Sequence, residues 1–241
     1  MGAASAGHDT LGTHVAFARS VICCVAGSGG CGEPGVLGDG GGVSALPPDA
    51  VRCGWASGAP DFPRYHDEEW GWPVQSDQRL FEKLSLEAFQ AGLSWRTILT
   101  KRPALRAAFA DFAIERVAAF DEDDVARLLG DAGIVRHRGK ITAVINNAQR
   151  AQELISAEGS LAAFVWRYEP DPASLGAPES LTMCAESAAL ARALKQRGWR
   201  FVGPTTVYAF MQACGMVNDH AVDCVQRAPI EQARSGFQRP L

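Results

Sequence analysis

The sequence predicts an all-α fold, on three observations. Apolar residues recur at helical spacing over long stretches, as at Ile141, Val144, Ile145, Ala148, Ala151 and Ile155, which gathers them on one face. Ser, Asp and Gly stand where such stretches begin and end. No convincing series of alternating apolar and polar residues marks a strand, and no internal repeat is visible.

The elements follow in order. Residues 1–50 hold 12 of the 25 glycines but only five charged residues. Such a segment buries too little side chain to offset the entropy of ordering it, so it reads as a Gly/Ala-rich disordered extension. Arg19 and the short apolar run after it resemble a secretory leader only superficially, because no basic residue precedes Arg19 and Asp9 stands where the leader should be basic. Cys23, Cys24 and Cys31 lack the spacing of a metal site. From Val51 the chain becomes dense. Ser76 or Asp77 caps a helix through Leu80, Phe81 and Leu84 to about Gln90, ended by Gly92. Ser94 caps another from Trp95 to about Thr100, and Pro103 opens the next toward Leu105 and Phe109. Asp121 caps a helix through Leu129, and the stripe from Ile141 ends near Gly159. A short helix over 160–168, a Pro-rich loop, a helix closed by Gly198 and a final core helix with Val207, Phe210 and Met211 complete the set. The expected organisation is an extension over 1–50, a domain over 51–225 and a flexible tail over 226–241.

The net charge is −4, of which the first fifty residues carry −3. The nearly neutral body has no general attraction for nucleic acid or anionic lipid, so any such binding rests on local cations. Arg136, Arg138 and Lys140 form one such group, and Arg192, Lys195, Arg197 and Arg200 another. No apolar run reaches the roughly 18 residues of a spanning helix.

Four constellations carry chemistry. Cys53, His66, His220 and Cys224 supply two thiols and two imidazoles, a donor set that suits tetrahedral zinc. His220 and Cys224 fall one turn apart if their segment is helical. Isolated Cys and His residues are otherwise core residues. Trp55, Tyr65, Trp70, Trp72 and Trp95 crowd a short stretch, as core packing or as a stacking box for a flat, cationic ring. Glu87 projects over Leu80 and Leu84 while Glu82 points elsewhere, so Glu87 is an inward-facing acid in need of a donor. It either caps a loop or pairs with an arginine, or it meets a ligand. Finally, the turns around Gly130–Gly133 and Gly203 either connect helices or offer N–H groups to phosphate.

At this point the chain resembles the DNA-3-methyladenine glycosylase I family. The blocks that carry the resemblance are Arg52-Cys53-Gly54-Trp55, Tyr65-His66-Asp67-Glu68-Glu69-Trp70-Gly71, Leu86-Glu87 and Gln90-Ala91-Gly92-Leu93-Ser94-Trp95. They continue with Asp131 to Lys140, Phe201-Val202-Gly203, Phe210 to Gly215 and Val217-Asn218-Asp219-His220. The resemblance covers about residues 51–225. It implies a helix-hairpin-helix glycosylase that hydrolyses the N-glycosidic bond of 3-methyladenine in double-stranded DNA. It also implies one structural zinc on Cys53, His66, His220 and Cys224 that joins the two ends of the chain.

On that reading Tyr65, Trp95, Trp55 and Trp70 hold the base and an ionised Glu87 accepts from its amino group. Leu93 acts as a wedge in the DNA, and Gly203, Thr205, Thr206, Arg138 and Lys140 meet the backbone. Asp219 is left without a role. The expected protein is a cytoplasmic, nucleoid-associated monomer that does not bind membranes. A zinc-stabilised DNA-binding module without catalysis is the alternative. A zinc hydrolase is disfavoured because four protein ligands leave no open position for water.

Overall fold

The structure is a computed structural model that describes residues 46, 47 and 49–241. Most of the proposed extension, with Cys23, Cys24, Cys31 and the leader-like run, lies outside the described residues. The described residues form ten α-helices and no strand: α1 (Phe62–Glu68), α2 (Asp77–Gln90), α3 (Trp95–Ala108), α4 (Ile114–Ala118), α5 (Glu122–Gly130), α6 (Arg138–Glu158), α7 (Leu161–Trp166), α8 (Ala185–Gln196), α9 (Pro204–Ala213) and α10 (Arg227–Gly236). No helix among them is long and apolar enough to cross a membrane.

The expected caps are in place. Ser76 Oγ accepts from Arg79 N, Ser94 Oγ from Thr97 N, and Asp121 forms a reciprocal capping box with Asp124. Gly159 ends α6 at φ +89° and Gly198 follows α8 at φ +80°, a region that favours glycine. One cap was not legible. The Asp77 carboxylate accepts from Leu161 N and Ala162 N at 3.0 and 2.8 Å, so the first residue of α2 also holds the start of α7.

The centre of the molecule is α2, which packs against α3, α6, α7 and α9. Every residue from Leu80 to Phe89 is buried. The amphipathic reading of this helix therefore fails for Glu82 and Lys83, which are as enclosed as Glu87. Two further boundaries differ from expectation. Pro103 does not start a helix but lies inside α3, where it removes one main-chain hydrogen bond. The expected flexible tail instead contains α10. Ile230 is fully buried, Phe237 packs on Trp166 at 4.5 Å between ring centroids, and Arg234 and Arg239 pair with Glu169. Spacing of four and three residues puts Ile230, Arg234 and Phe237 on one side of the chain, which is what docks it.

Gly215 fixes the chain beyond α9 against residues 71–73. Its φ is +79°, and a Cβ there would lie 2.6 Å from Pro73 N and from the Trp72 carbonyl carbon. Neither backbone group can rotate away. Gly215→Ala is expected to lower stability by about 2–4 kcal/mol in chemical denaturation. An unchanged midpoint would show that this approach is not tight.

Candidate active site

Several elements converge on a cavity of about 350 Å³, a size suited to a small ligand. The 3-10 turn Gly54–Ser57 brings Trp55, α1 brings Phe62 and Tyr65, and the turn after α1 brings Trp70. Helix α2 brings Glu87 and Gln90, α3 opens with Trp95, and α9 with the chain beyond it brings Gln212 and Asp219. Tyr65 and Trp95 stand 5.2 Å apart between centroids, tilted by 46°. Trp55 meets Trp70 edge-on at 5.0 Å. Trp55, Tyr65, Trp70, Trp95 and Glu87 thus line one space, while Trp72 of the same aromatic cluster lies outside it and donates its indole N–H to the Asp67 carbonyl at 3.3 Å.

Glu87 is buried with no hydrogen-bond donor among the described residues. Burial pushes its carboxyl up to about 8, against the opposing field of Lys83. Near neutral pH burial therefore favours the protonated acid. The sequence reading has this carboxylate ionised; burial among the rings instead favours its protonated form. Tyr65 is held well above its usual range by burial and then by Glu87, so its phenol stays neutral.

Behind these two residues lies a set of paired charges. Lys83 Nζ donates to Glu69 Oε1 at 2.8 Å. Arg102 grips both oxygens of Glu69 at 2.6 and 2.7 Å. Glu82 accepts from Arg79, Arg102 and Arg106. Burial alone would raise the Glu69 carboxyl, but Lys83 and Arg102 bring it far below the ordinary range.

Some cavity residues had escaped the sequence reading. Gln90 follows Glu87 by three residues, so helical period alone could have found it. Asp219 accepts from Gln212 Nε2 at 2.6 Å and from Glu179 N at 2.8 Å. Glu179, also in the lining, has φ +62°, an uncommon conformation that this bond helps to hold. Its place in a Pro- and Gly-rich loop gave no signal.

Beside the cavity, Cys53, His66, His220 and Cys224 come together with all four ligand atoms within 4.8 Å of one another and all four residues buried. Sγ of Cys53 lies 3.5 Å from Nδ1 of His220, and Sγ of Cys224 lies 3.4 Å from Nε2 of His66 and from Nδ1 of His220. Tetrahedral zinc with ordinary bond lengths requires S···N edges of about 3.5 Å. The outer ring nitrogens are also engaged, His66 Nδ1 with Asp67 at 2.8 Å and His220 Nε2 with the Trp70 carbonyl at 3.3 Å, as in metal-ligating histidines. Burial holds His220 neutral, at about 4, and the Cys53 thiol near 12, so a cation is what would release the thiol proton. The group can hold a metal ion. Its last two members flank a turn, not a helix, so the condition of a helical segment is not met, yet the turn still brings His220 and Cys224 together.

Residues 55–227 match the methyladenine glycosylase family. The chain belongs to that family. It is 48% identical over 177 residues to DNA-3-methyladenine glycosylase 1 of Escherichia coli K12, covering 72% of this chain and 95% of the relative. It is 38% identical over 178 residues to the DNA-3-methyladenine glycosylase of Haemophilus influenzae, covering 72% and 96%. Among solved structures, a 3-methyladenine DNA glycosylase I crystal structure matches with 47% identity and a TM-score of 0.69, over 73% of this chain and 98% of that one. The Staphylococcus aureus 3-methyladenine DNA glycosylase I, solved for its recognition of 3-methyladenine, matches with 37% identity and a TM-score of 0.69, over 73% and 96%.

The residues expected at DNA divide in this methyladenine glycosylase family member. Leu93 stands exposed on the turn between α2 and α3. Gly203 precedes α9, Pro204 is its first residue, and the N–H groups of Thr205 and Thr206 lie in the open first turn. Arg138 is exposed and shares a surface ion pair with Glu122 at 3.1 Å, which a phosphate can replace at little cost. Lys140 departs from the expectation. It is buried, and its Nζ donates to the Phe89 and Ala91 carbonyls at 2.8 and 2.5 Å. It serves the C-terminal end of α2 and is not free for phosphate.

The proton on Glu87 has a cost that pH reveals. Its folded value lies above its unfolded one, so its contribution to stability is full below about 4.5 and is lost as pH rises through about 8. Glu87→Gln removes this loss. Its stability relative to the parent is expected to rise by about 2 kcal/mol or more between pH 5 and 9 in denaturant titrations. A gap independent of pH would mean that the carboxyl is better solvated than its surroundings imply.

Proposed function

We propose that this chain is a base-excision repair enzyme that hydrolyses the N-glycosidic bond of 3-methyladenine in alkylated double-stranded DNA. The observation that carries this reading is the cavity in which one buried acid faces aromatic rings. Methylation at N3 makes the purine a cation and a good leaving group. Little acid catalysis is then needed. What the protein must do is extrude the nucleotide, hold the ring and admit water to the sugar.

Tyr65 and Trp95 stack on the base, whose charge favours their electron-rich faces. Trp55 and Trp70 close the space around it. Arrival of the cation makes ionisation of Glu87 favourable, so the acid gives up its proton to solvent water and accepts from the purine amino group. The negative charge is thereby favoured most where a positive ring is there to meet it. An uncharged purine gains stacking but not this term, which is the basis for selecting damaged bases.

Helices α8 and α9 with the turn between them form the helix-hairpin-helix element. Gly203, Thr205 and Thr206 meet phosphate through main-chain N–H groups, and Arg138 adds a cation. Leu93 fills the gap left by the extruded nucleotide. Cys53, His66, His220 and Cys224 would hold one zinc ion, which would cross-link the two ends of the domain. The protein works as a cytoplasmic monomer at the nucleoid. A binding module without catalysis would need neither the acid nor the rings, and both are intact.

The deciding assay is chromatography of bases released from methylated duplex DNA. The parent is expected to release 3-methyladenine, and Glu87→Gln to fall by about a hundredfold in kcat/KM. Normal excision by a folded Glu87→Gln protein would remove the acid from the mechanism. Elemental analysis is expected to find one zinc per chain, with chelation lowering the thermal midpoint. A folded chain that takes up no zinc on supplementation would refute the metal assignment.

A further inference from the structure

Glu87 has a neighbour that the reading above does not use. Lys83 precedes it by one turn of α2, so the two side chains leave the helix on the same side. Lys83 is buried, and its Nζ lies 2.8 Å from Glu69 Oε1 and 6.0 Å from the centroid of the Tyr65 ring. Lys83, Glu87, Glu69, Tyr65, Trp95 and Arg102 all border one narrow crevice too small for water. The ammonium thus lies behind the cavity wall with no solvent to screen it from Glu87.

We propose that Lys83 is a positioning residue for the charge of Glu87: its buried ammonium, anchored by Glu69, favours the carboxylate form and so prepares the cavity for a cationic purine. This rests on the reading of Glu87 given above. The charged and titratable groups around the acid leave this task to Lys83. Arg102 on α3 is shared between two carboxylates, Glu69 and Glu82, whereas Lys83 bonds one. Tyr65 on α1 is neutral, and Cys214 after α9 is kept protonated, near 12, by burial. Asp219 and Glu179, which share the cavity lining, are acids themselves and give no help to a second carboxylate. The field of Lys83 is the one that works against the effect of burial on Glu87. Glu69, held ionised by two cations, bonds the Lys83 amine at 2.8 Å and opposes the loss of its proton that burial favours.

The test is the pH dependence of kcat/KM for 3-methyladenine release from methylated duplex DNA, which reports groups of the free enzyme. Four proteins are compared: parent, Lys83→Met, Lys83→Arg and Glu87→Gln. In the parent a limb set by Glu87 rises with pH. Lys83→Met is expected to move it up by about one unit, with a loss of up to about tenfold at pH 7 that recovers at alkaline pH. Lys83→Arg keeps the limb near its parental position. Loss of activity by the same factor at every pH would mark Lys83 as structural only. An unmoved limb in Lys83→Met, where Glu87→Gln lacks the limb, overturns this inference and leaves the role of Glu87 standing. A limb that survives in Glu87→Gln overturns that role itself. Lys83→Gln replaces Lys83→Met if the latter does not fold, and an upward shift in the charge-retaining Lys83→Arg counts equally against the proposal.

Discussion

The constraint on which the rest of this structure depends is the burial of a carboxyl group that no described residue bonds. A polar group in that position costs free energy that folding must supply elsewhere. Here the surrounding helix supplies it: α2 is enclosed along ten successive residues and packs on four other helices. Such enclosure leaves Glu87 no route to solvent except the cavity. The packing of its own helix leaves the acid only the cavity side on which to meet a partner.

The aromatic walls are fixed from outside the cavity. Trp70 meets the ring of His220 at 4.5 Å, and Trp55 meets that of His66 at 5.3 Å. Two members of the Cys/His group thus buttress two of the rings that face Glu87. The tight approach of Gly215 to residues 71–73 holds the same segment from the other side. Metal-binding geometry and cavity shape are one arrangement of side chains here.

Helix starts and stops were legible because each depends on one or two adjacent residues, such as Ser94, Asp121 or Gly159. The aromatic box and Glu87 were legible through their density and through the family blocks in which they stand. What sequence could not reveal were facts that need three dimensions. Lys140 reads as a surface cation in a basic run, and only the end of α2 lying over it explains its burial. Glu82 lies off the apolar stripe, yet three arginines enclose it. The last helix was invisible because Ile230 and Phe237 are isolated apolar residues in a polar stretch, and their partners Gly71 and Trp166 are far away in sequence. Glu179 lacked any local signal, since its role comes from a main-chain conformation held by Asp219.

The Cys/His group takes its members from opposite ends of the domain, Cys53 and His220 being 167 positions apart. This has a consequence for biosynthesis. A nascent chain emerging from the ribosome has Trp55 and Trp70 early but must wait for residues 220 and 224 before those rings acquire their backing. A chain that stops short of that point would leave Trp55 and Trp70 without their backing and the cavity around Glu87 unfinished.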